Sequence, residues 1–199
     1  MRGGMTSRPN VQLRPSNPSP LRGPFIVRQP RTRIINSFYG FRAYSWHPFV
    51  PFYWGPSWHP VGWFTAALAT TAMMLSINSA QFGPQYFYYD NGVFFAPATG
   101  GFSVIAAPVG AVIPALPYGY TTTIVNNMPY YYYGGTFYTM TPNRTYQVIR
   151  APQGAIVGQL PQGAQQINVQ GNSIMEYGGA YYQPIMQNNE SAYEVVSVM

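Results

Sequence analysis

The chain has 199 residues, 47% of them hydrophobic, and carries a formal net charge of +6. Only 7% of its residues are charged, against roughly 25% in an ordinary soluble protein, while aromatics reach 17% and cysteine is absent. Disulfides, thiol catalysis and Cys-based metal sites are therefore excluded, and so little charge points to a membrane, a partner or a self-assembled state.

Charge divides the chain sharply. Eight arginines and no acid before residue 43 give +8, whereas two arginines against Asp90, Glu176, Glu190 and Glu194 beyond it give −2. The basic character thus belongs to an arm. Residues 1–37 are rich in Pro, Arg, Ser, Asn and Gly, with Phe25 the only aromatic. Such a stretch buries too little apolar surface to offset its ordering entropy, and it is expected to be disordered. It does not read as a secretory signal, because no run of about 7–15 apolar residues follows its arginines. Export would then rely on a later segment or on a leader upstream. The arm could contact phosphates in a salt-sensitive way, but without interleaved aromatics it reads as a linker or a topogenic charge, not as a nucleic-acid contact.

Residues 38–60 are dense in aromatics and proline, with Ser45-Trp46-His47-Pro48 returning as Ser57-Trp58-His59-Pro60. Prolines forbid a continuous helix here. Trp46, Trp54, Trp58 and Trp63 lie in or just after this segment, a composition that suits a membrane–water interface. The apolar run 61–77 follows. As a helix it would be about 26 Å long, slightly short of a hydrocarbon core of roughly 30 Å. The expected element over 61–78 is a hydrophobic helix that spans a membrane, with packing on the following domain as the alternative. The positive-inside rule would then place the arm in the cytoplasm and the rest outside.

From residue 85 onward the chain repeats itself with an offset of 44 residues. Ala107-Pro108-Val109-Gly110-Ala111-Val112 returns as Ala151-Pro152-Gln153-Gly154-Ala155-Ile156, and Leu116-Pro117-Tyr118-Gly119 returns as Leu160-Pro161-Gln162-Gly163. Tyr133-Gly134-Gly135-Thr136-Phe137-Tyr138 returns as Tyr177-Gly178-Gly179-Ala180-Tyr181-Tyr182. A period of this size means a copied supersecondary unit. Asn91-Gly92, Gly134-Gly135 and Gly178-Gly179 each suit a type I′ hairpin turn, with Asn126-Asn127 and Gly171-Asn172 as weaker reversals. The expected fold is mainly β, with tandem antiparallel hairpin repeats of about 44 residues. Two full units cover about 86–129 and 130–173, and a partial one 174–199.

Little in the chain points to catalysis. His47 and His59 lack further ligands nearby for a metal. Asp90 is accounted for by its turn, and Glu176 with Glu190 or Glu194 would need to converge to form an acid pair. Ser191 has no histidine partner that spacing can place, and Gly100-Gly101 leads into a strand instead of a phosphate-binding helix. No catalytic, cofactor or metal residue is assigned.

The run Trp58-His59-Pro60-Val61-Gly62, the Ala/Thr-rich apolar segment, Tyr-Tyr-Asp-Asn-Gly-Val-Phe-Phe and the Tyr-Tyr-Tyr-Tyr-Gly-Gly-Thr-Phe-Tyr hairpin resemble a known family over residues 44–199. It is a family of uncharacterised bacterial proteins, grouped under a domain of unknown function, with tandem Tyr-rich β-hairpin repeats. The resemblance implies a cell-envelope location and carries over no functional residues. The expected function is a non-enzymatic envelope protein making structural or protein contacts, including self-association. The alternative is a glycan-binding module that displays Tyr131, Tyr133, Phe137 and Tyr138 as an aromatic platform, against which stands a two-sided aromatic core.

Overall fold

The computed structural model describes residues 42–79 and 83–198 and the backbone of 25–26. The disorder expected for the arm 1–37 falls outside these residues, apart from β1 (Phe25–Ile26), a two-residue strand. Among the described residues all regular structure is β-structure, in three sheets of one topology.

The first unit comprises β2 (Phe64–Thr65), β3 (Met73–Ser79), β4 (Gly83–Asp90), β5 (Val93–Ala98) and β6 (Gly101–Ile105). β3 to β6 form an antiparallel meander, and the short β2 returns to pair with β6. The second unit repeats this with β7 (Val112–Ile113), β8 (Thr121–Val125), β9 (Met128–Tyr133), β10 (Thr136–Met140) and β11 (Tyr146–Ile149). β7 closes on β11, and β1 adds to β8 in parallel. The third unit has β12 (Ile156–Val157), β13 (Gln165–Val169), β14 (Asn172–Tyr177), β15 (Ala180–Gln187) and β16 (Glu190–Val196), with β12 on β16.

The closure of each sheet is the same down to its hydrogen bonds. Gly62, Gly110 and Gly154 donate to the carbonyls of Val104, Val148 and Val195, and those valines donate back to Trp63, Ala111 and Ala155, all at 2.8–2.9 Å. Each glycine sits third in a Pro-x-Gly-x turn at φ between +81° and +96°, the type II geometry that needs a residue free of a Cβ there. The units thus begin near residues 60, 108 and 152, not at 86, 130 and 174 as the repeat reading had them. The third is complete, not truncated.

The helix expected over 61–78 is absent. That stretch holds β2, a turn closed by Ala72 donating to the Ala69 carbonyl (3.0 Å), and β3. β3 pairs with β4 over its whole length, from Met73 opposite Tyr89 to Ser79 opposite Gly83, and Leu75 and Ile77 are its more buried residues. The physical reason lies in the corner that precedes the first long strand of each unit. Pro117 and Gly119, and Pro161 and Gly163, mark it in the later units, where Tyr120 and Ala164 donate back to the two prolines. The first unit has Ala69-Thr70-Thr71-Ala72 instead. Without Pro or Gly the corner leaves no punctuation, and pairing with β4 overrides the helix preference of Ala, Leu and Met. Among the described residues no helix is long and apolar enough to cross a membrane.

Among the described residues seven residue pairs make two-residue hairpins; in Thr99-Gly100 only the glycine has positive φ, and the other six share one geometry. Asn91-Gly92, Asn126-Asn127, Gly134-Gly135, Gln170-Gly171, Gly178-Gly179 and Asn188-Asn189 all have positive φ at both positions, as type I′ turns require. The turn expected at Gly171-Asn172 thus lies one residue earlier, and the one at Asn188-Asn189 is additional. Near the Gly92, Gly135 and Gly179 turns, successive residues are buried (Val93, Phe94 and Phe95; Tyr132 and Tyr133; Phe137 and Tyr138). Alternation would expose every second residue of a half-buried strand. Here the sheets meet, both faces are covered, and one hydrophobic cluster runs through all three units.

Candidate interaction surface

Residues 42–60, with isolated bridging only at Phe52, form a strap across the sheets. Ser45 donates to the Pro184 carbonyl (2.9 Å) and Phe52 to that of Leu160 (3.0 Å). The His47 Nε2 donates to the Ala192 carbonyl at 3.1 Å, because a carbonyl only accepts. His47 is buried edge-on to Tyr193, 4.9 Å between centroids. Prolines 48, 51, 56 and 60 suit this extended path, since each lacks a backbone donor that would otherwise need a partner.

The four tryptophans divide. Trp54 and Trp58 are buried, and Trp54 meets Phe52, Tyr132 and Tyr133 edge-to-face at 4.9, 5.8 and 5.0 Å. Trp46 is 42% exposed, while Trp63 stacks on His59 at 3.6 Å with a 5° interplanar angle. Burial lowers the His59 pKa. Two of the four rings expected at a membrane interface are therefore core residues, which hold the strap in place.

The aromatic platform is likewise divided. Tyr133 is buried and donates its hydroxyl to the Trp54 carbonyl (3.3 Å). Phe137 is buried against Tyr132 at 4.9 Å, and Tyr138 is fully buried. Burial pushes the Tyr138 phenol well above its usual range, with Tyr89 and Tyr133 adding to the shift. Tyr131 alone is partly exposed, between Tyr120 and Tyr146 at 5.7 and 5.3 Å. Burial foremost raises its pKa too. These four rings form no flat exposed surface; three of them belong to the core.

The acidic side chains do not converge. Asp90 accepts from the Thr71 hydroxyl (2.9 Å), and Glu176 Oε1 accepts from the Gly179 amide (2.8 Å), fixing its own turn. Glu194 is fully buried, opposite Gln183 on β15, while Glu176 faces Tyr181 on the other side of that strand. Strand spacing then separates the Glu176 and Glu194 Cα atoms by about 12 Å. Glu190 lies at the far end of the hairpin, opposite Gln187. No group of three or more His, Asp or Glu that could hold a metal occurs among the described residues.

What the fold does bring together is its three equivalent turns. Gly92, Gly134-Gly135 and Gly178-Gly179 border one open cavity of about 970 Å³. Its walls include Trp58, Phe94, Phe137, Tyr177 and Tyr181, and its polar groups include Gln153, Gln162, Gln165 and Arg150. Burial pushes the Tyr177 phenol up to about 12. No Asp or Glu lines the cavity. Stacking surfaces beside amide donors and acceptors and one guanidinium can hold a polymer of sugars or an extended peptide. Of the rings singled out from sequence, Phe137 and Trp58 line this cavity. Arg150 and the glutamines were missed. The recurrence of Pro-x-Gly at 60–62, 108–110 and 152–154 was a usable signal, because it marks the three unit starts.

A family model matches residues 16–199, nearly the whole chain. The chain belongs to the DUF6515 family. DUF6515 is a family of unknown function, so membership assigns no activity to the cavity. No curated protein and no solved structure matches this DUF6515 chain.

Proposed function

We propose that this DUF6515 chain is a non-enzymatic interaction protein of the cell envelope, which engages its partner at the cavity where the three sheets meet. The observation that carries this reading is the convergence of three equivalent turns on one lined surface. Repeats that each supply a glycine turn and an aromatic wall make an extended contact face, and the lining offers no paired acids for general acid–base work. The resemblance and the scarcity of charge support the envelope setting. A contact with the membrane would have to arise from something other than a helix at 61–78.

Glycan binding is the second reading, moved to other residues. Trp58, Tyr177 and Tyr181 beside Gln153 and Gln162 combine ring faces with amides, the chemistry that recognises a sugar's apolar face and its hydroxyls.

Site-specific photocrosslinkers at Gln153 and Gln162, in cells that make the protein, test the proposal. Discrete adducts from both positions, absent from one at exposed Asn143, are the expected result. A protein adduct supports the first reading and a glycan adduct the second. No adduct above the Asn143 background would overturn the assignment of the cavity.

A further inference from the structure

Two of the three equivalent turns are each covered by a tyrosine ring of the following unit. A Cβ on Gly92 would meet Tyr133 and, at 3.0 Å, Pro117, and one on Gly135 would meet Tyr177. Tyr177 also lies 3.7 Å from where a Cβ of Gly163 would stand. Each seat thus has a turn glycine beneath the ring and the Leu-Pro-x-Gly corner of the ring's own unit beside it. A glycine lets another group come this close to the backbone. The third turn, Gly178-Gly179, has the same form and no ring. Among the described residues nothing lies within 4 Å of a Cβ on either glycine, and both are exposed.

This open seat belongs to the cavity, whose walls include both glycines. Glu176 Oε1 already accepts from the Gly179 amide at 2.8 Å. What the turn offers is therefore its bare Cα–H face, an apolar surface on which a ring can rest.

We propose, on the reading of the cavity as the partner's contact, that the Gly178-Gly179 seat receives a tyrosine ring from an acidic segment of a partner protein. The ring follows from the two filled seats, which both hold tyrosine. A second copy stacked end to end would not supply it. At the place of Tyr133 and Tyr177 its first unit has Asp90, and in place of the Leu-Pro-x-Gly corner it has Ala69-Thr70-Thr71-Ala72. The charge follows from Arg150, which lines the cavity where no Asp or Glu does, so that a carboxylate near the ring can pair with the guanidinium. The chain's own arm, with eight arginines and no acid before residue 43, has the wrong sign for that place.

Gly179→Asn closes the seat and keeps the turn, because Asn127 and Asn189 hold the same second position of their hairpins at φ +62°. Full-length chain with the photocrosslinker at Gln153 is made in cells with Gly179→Asn or with Gly171→Asn. Gly171 holds the second position of a turn outside the cavity, with nothing within 4 Å of a Cβ. The protein adduct is expected to fall about fivefold with Gly179→Asn, the loss of one seated ring, and to persist with Gly171→Asn. In solution the probe is acetyl-Asp-Tyr-Asp-amide, compared with acetyl-Asp-Leu-Asp-amide. A ring resting on the glycine shifts the Gly179 Cα protons upfield, and only the tyrosine peptide is expected to do so. An adduct that both variants leave unchanged or lower equally, or a Gly179 shift from both peptides or from neither, overturns the seat and leaves the cavity standing. A glycan adduct overturns it too, as do Gly179 protons already upfield in the free chain and released by Phe38→Ser/Tyr39→Ser/Phe41→Ser. No adduct from the unsubstituted chain above the Asn143 background overturns the cavity and the seat with it.

Discussion

Gly135 in the turn between β9 and β10 lies directly against the ring of Tyr177 in the next unit, so close that a Cβ there would collide with Cε1. Gly92 meets Tyr133 in the same way one unit earlier. The turn glycine of each of these units is thus the seat for the tyrosine that precedes the next unit's turn. The series stops there: nothing lies within 4 Å of a Cβ on Gly179. The strap, bonded to Pro184, Ala192 and Leu160, is a further tie to the third unit.

That difference separates two chemically identical substitutions. Both glycines have positive φ, +93° at Gly135 and +78° at Gly179, so alanine strains the backbone at either by about 1 kcal/mol. At Gly135 the collision with Tyr177 adds to it, for a total of about 2–4 kcal/mol. Urea midpoints for Gly135→Ala and Gly179→Ala are expected to differ accordingly, and equal losses would show that the Gly135–Tyr177 contact contributes nothing.

Trp54→Ala is expected to cost about 3–5 kcal/mol, because it removes a buried ring and three edge-to-face partners and leaves a cavity under the strap. Trp46→Ala is expected to stay within about 0.5 kcal/mol, being a surface change. Thermal unfolding of the two variants measures the contrast. Comparable losses would mean that the exposed Trp46 anchors the strap as much as the buried Trp54 does.

Thr123 joins the second unit to the third: its hydroxyl oxygen accepts from the Ile156 amide at 3.1 Å, both residues being buried. Thr123→Val keeps the shape and leaves that N–H without its acceptor, which costs about 1–3 kcal/mol. Amide exchange should accelerate at Ile156 more than at Val112, which has the equivalent place in the second unit. A uniform change across both would assign the effect to global stability.

Alkaline pH should unfold the protein before its buried tyrosines ionise in place. Burial holds the phenols of Tyr177 and Tyr193 at about 12 in the folded chain, against 10.0 for an ordinary tyrosine. A folded pKa raised above the unfolded value means that the unfolded chain loses its protons first. The stability associated with the neutral phenols is complete below pH 10 and falls as pH rises from 10 toward 12. Melting temperature should decline through that window, with tyrosinate absorbance rising cooperatively at unfolding. Gradual ionisation at an unchanged melting temperature would contradict the burial of these rings.

Reading the residues alone reached much of this architecture where local chemistry decides. Asn-Gly and Gly-Gly pairs take positive φ readily wherever they stand, and the Pro-x-Gly corners repeat because each must turn the chain before its short closing strand. Tyr130–Tyr133 is a strand by composition in almost any setting. What lay beyond reach depends on residues distant in the chain. Ala69–Ala72 turns and Met73–Ser79 extends because β4 waits as a partner, and no local mark distinguishes that segment from an apolar helix. Alternation placed Tyr131 and Tyr133 on one face and Tyr132 on the other, but only the meeting of three sheets decided that Tyr132 and Tyr133 are both buried while Tyr131 keeps partial contact with water. The sequence by itself determined the turns and the strand-forming stretches, since backbone dihedral preference is a property of a few adjacent residues. The tertiary structure decided which rings are core and which line the cavity, since burial depends on whatever the rest of the chain packs against them.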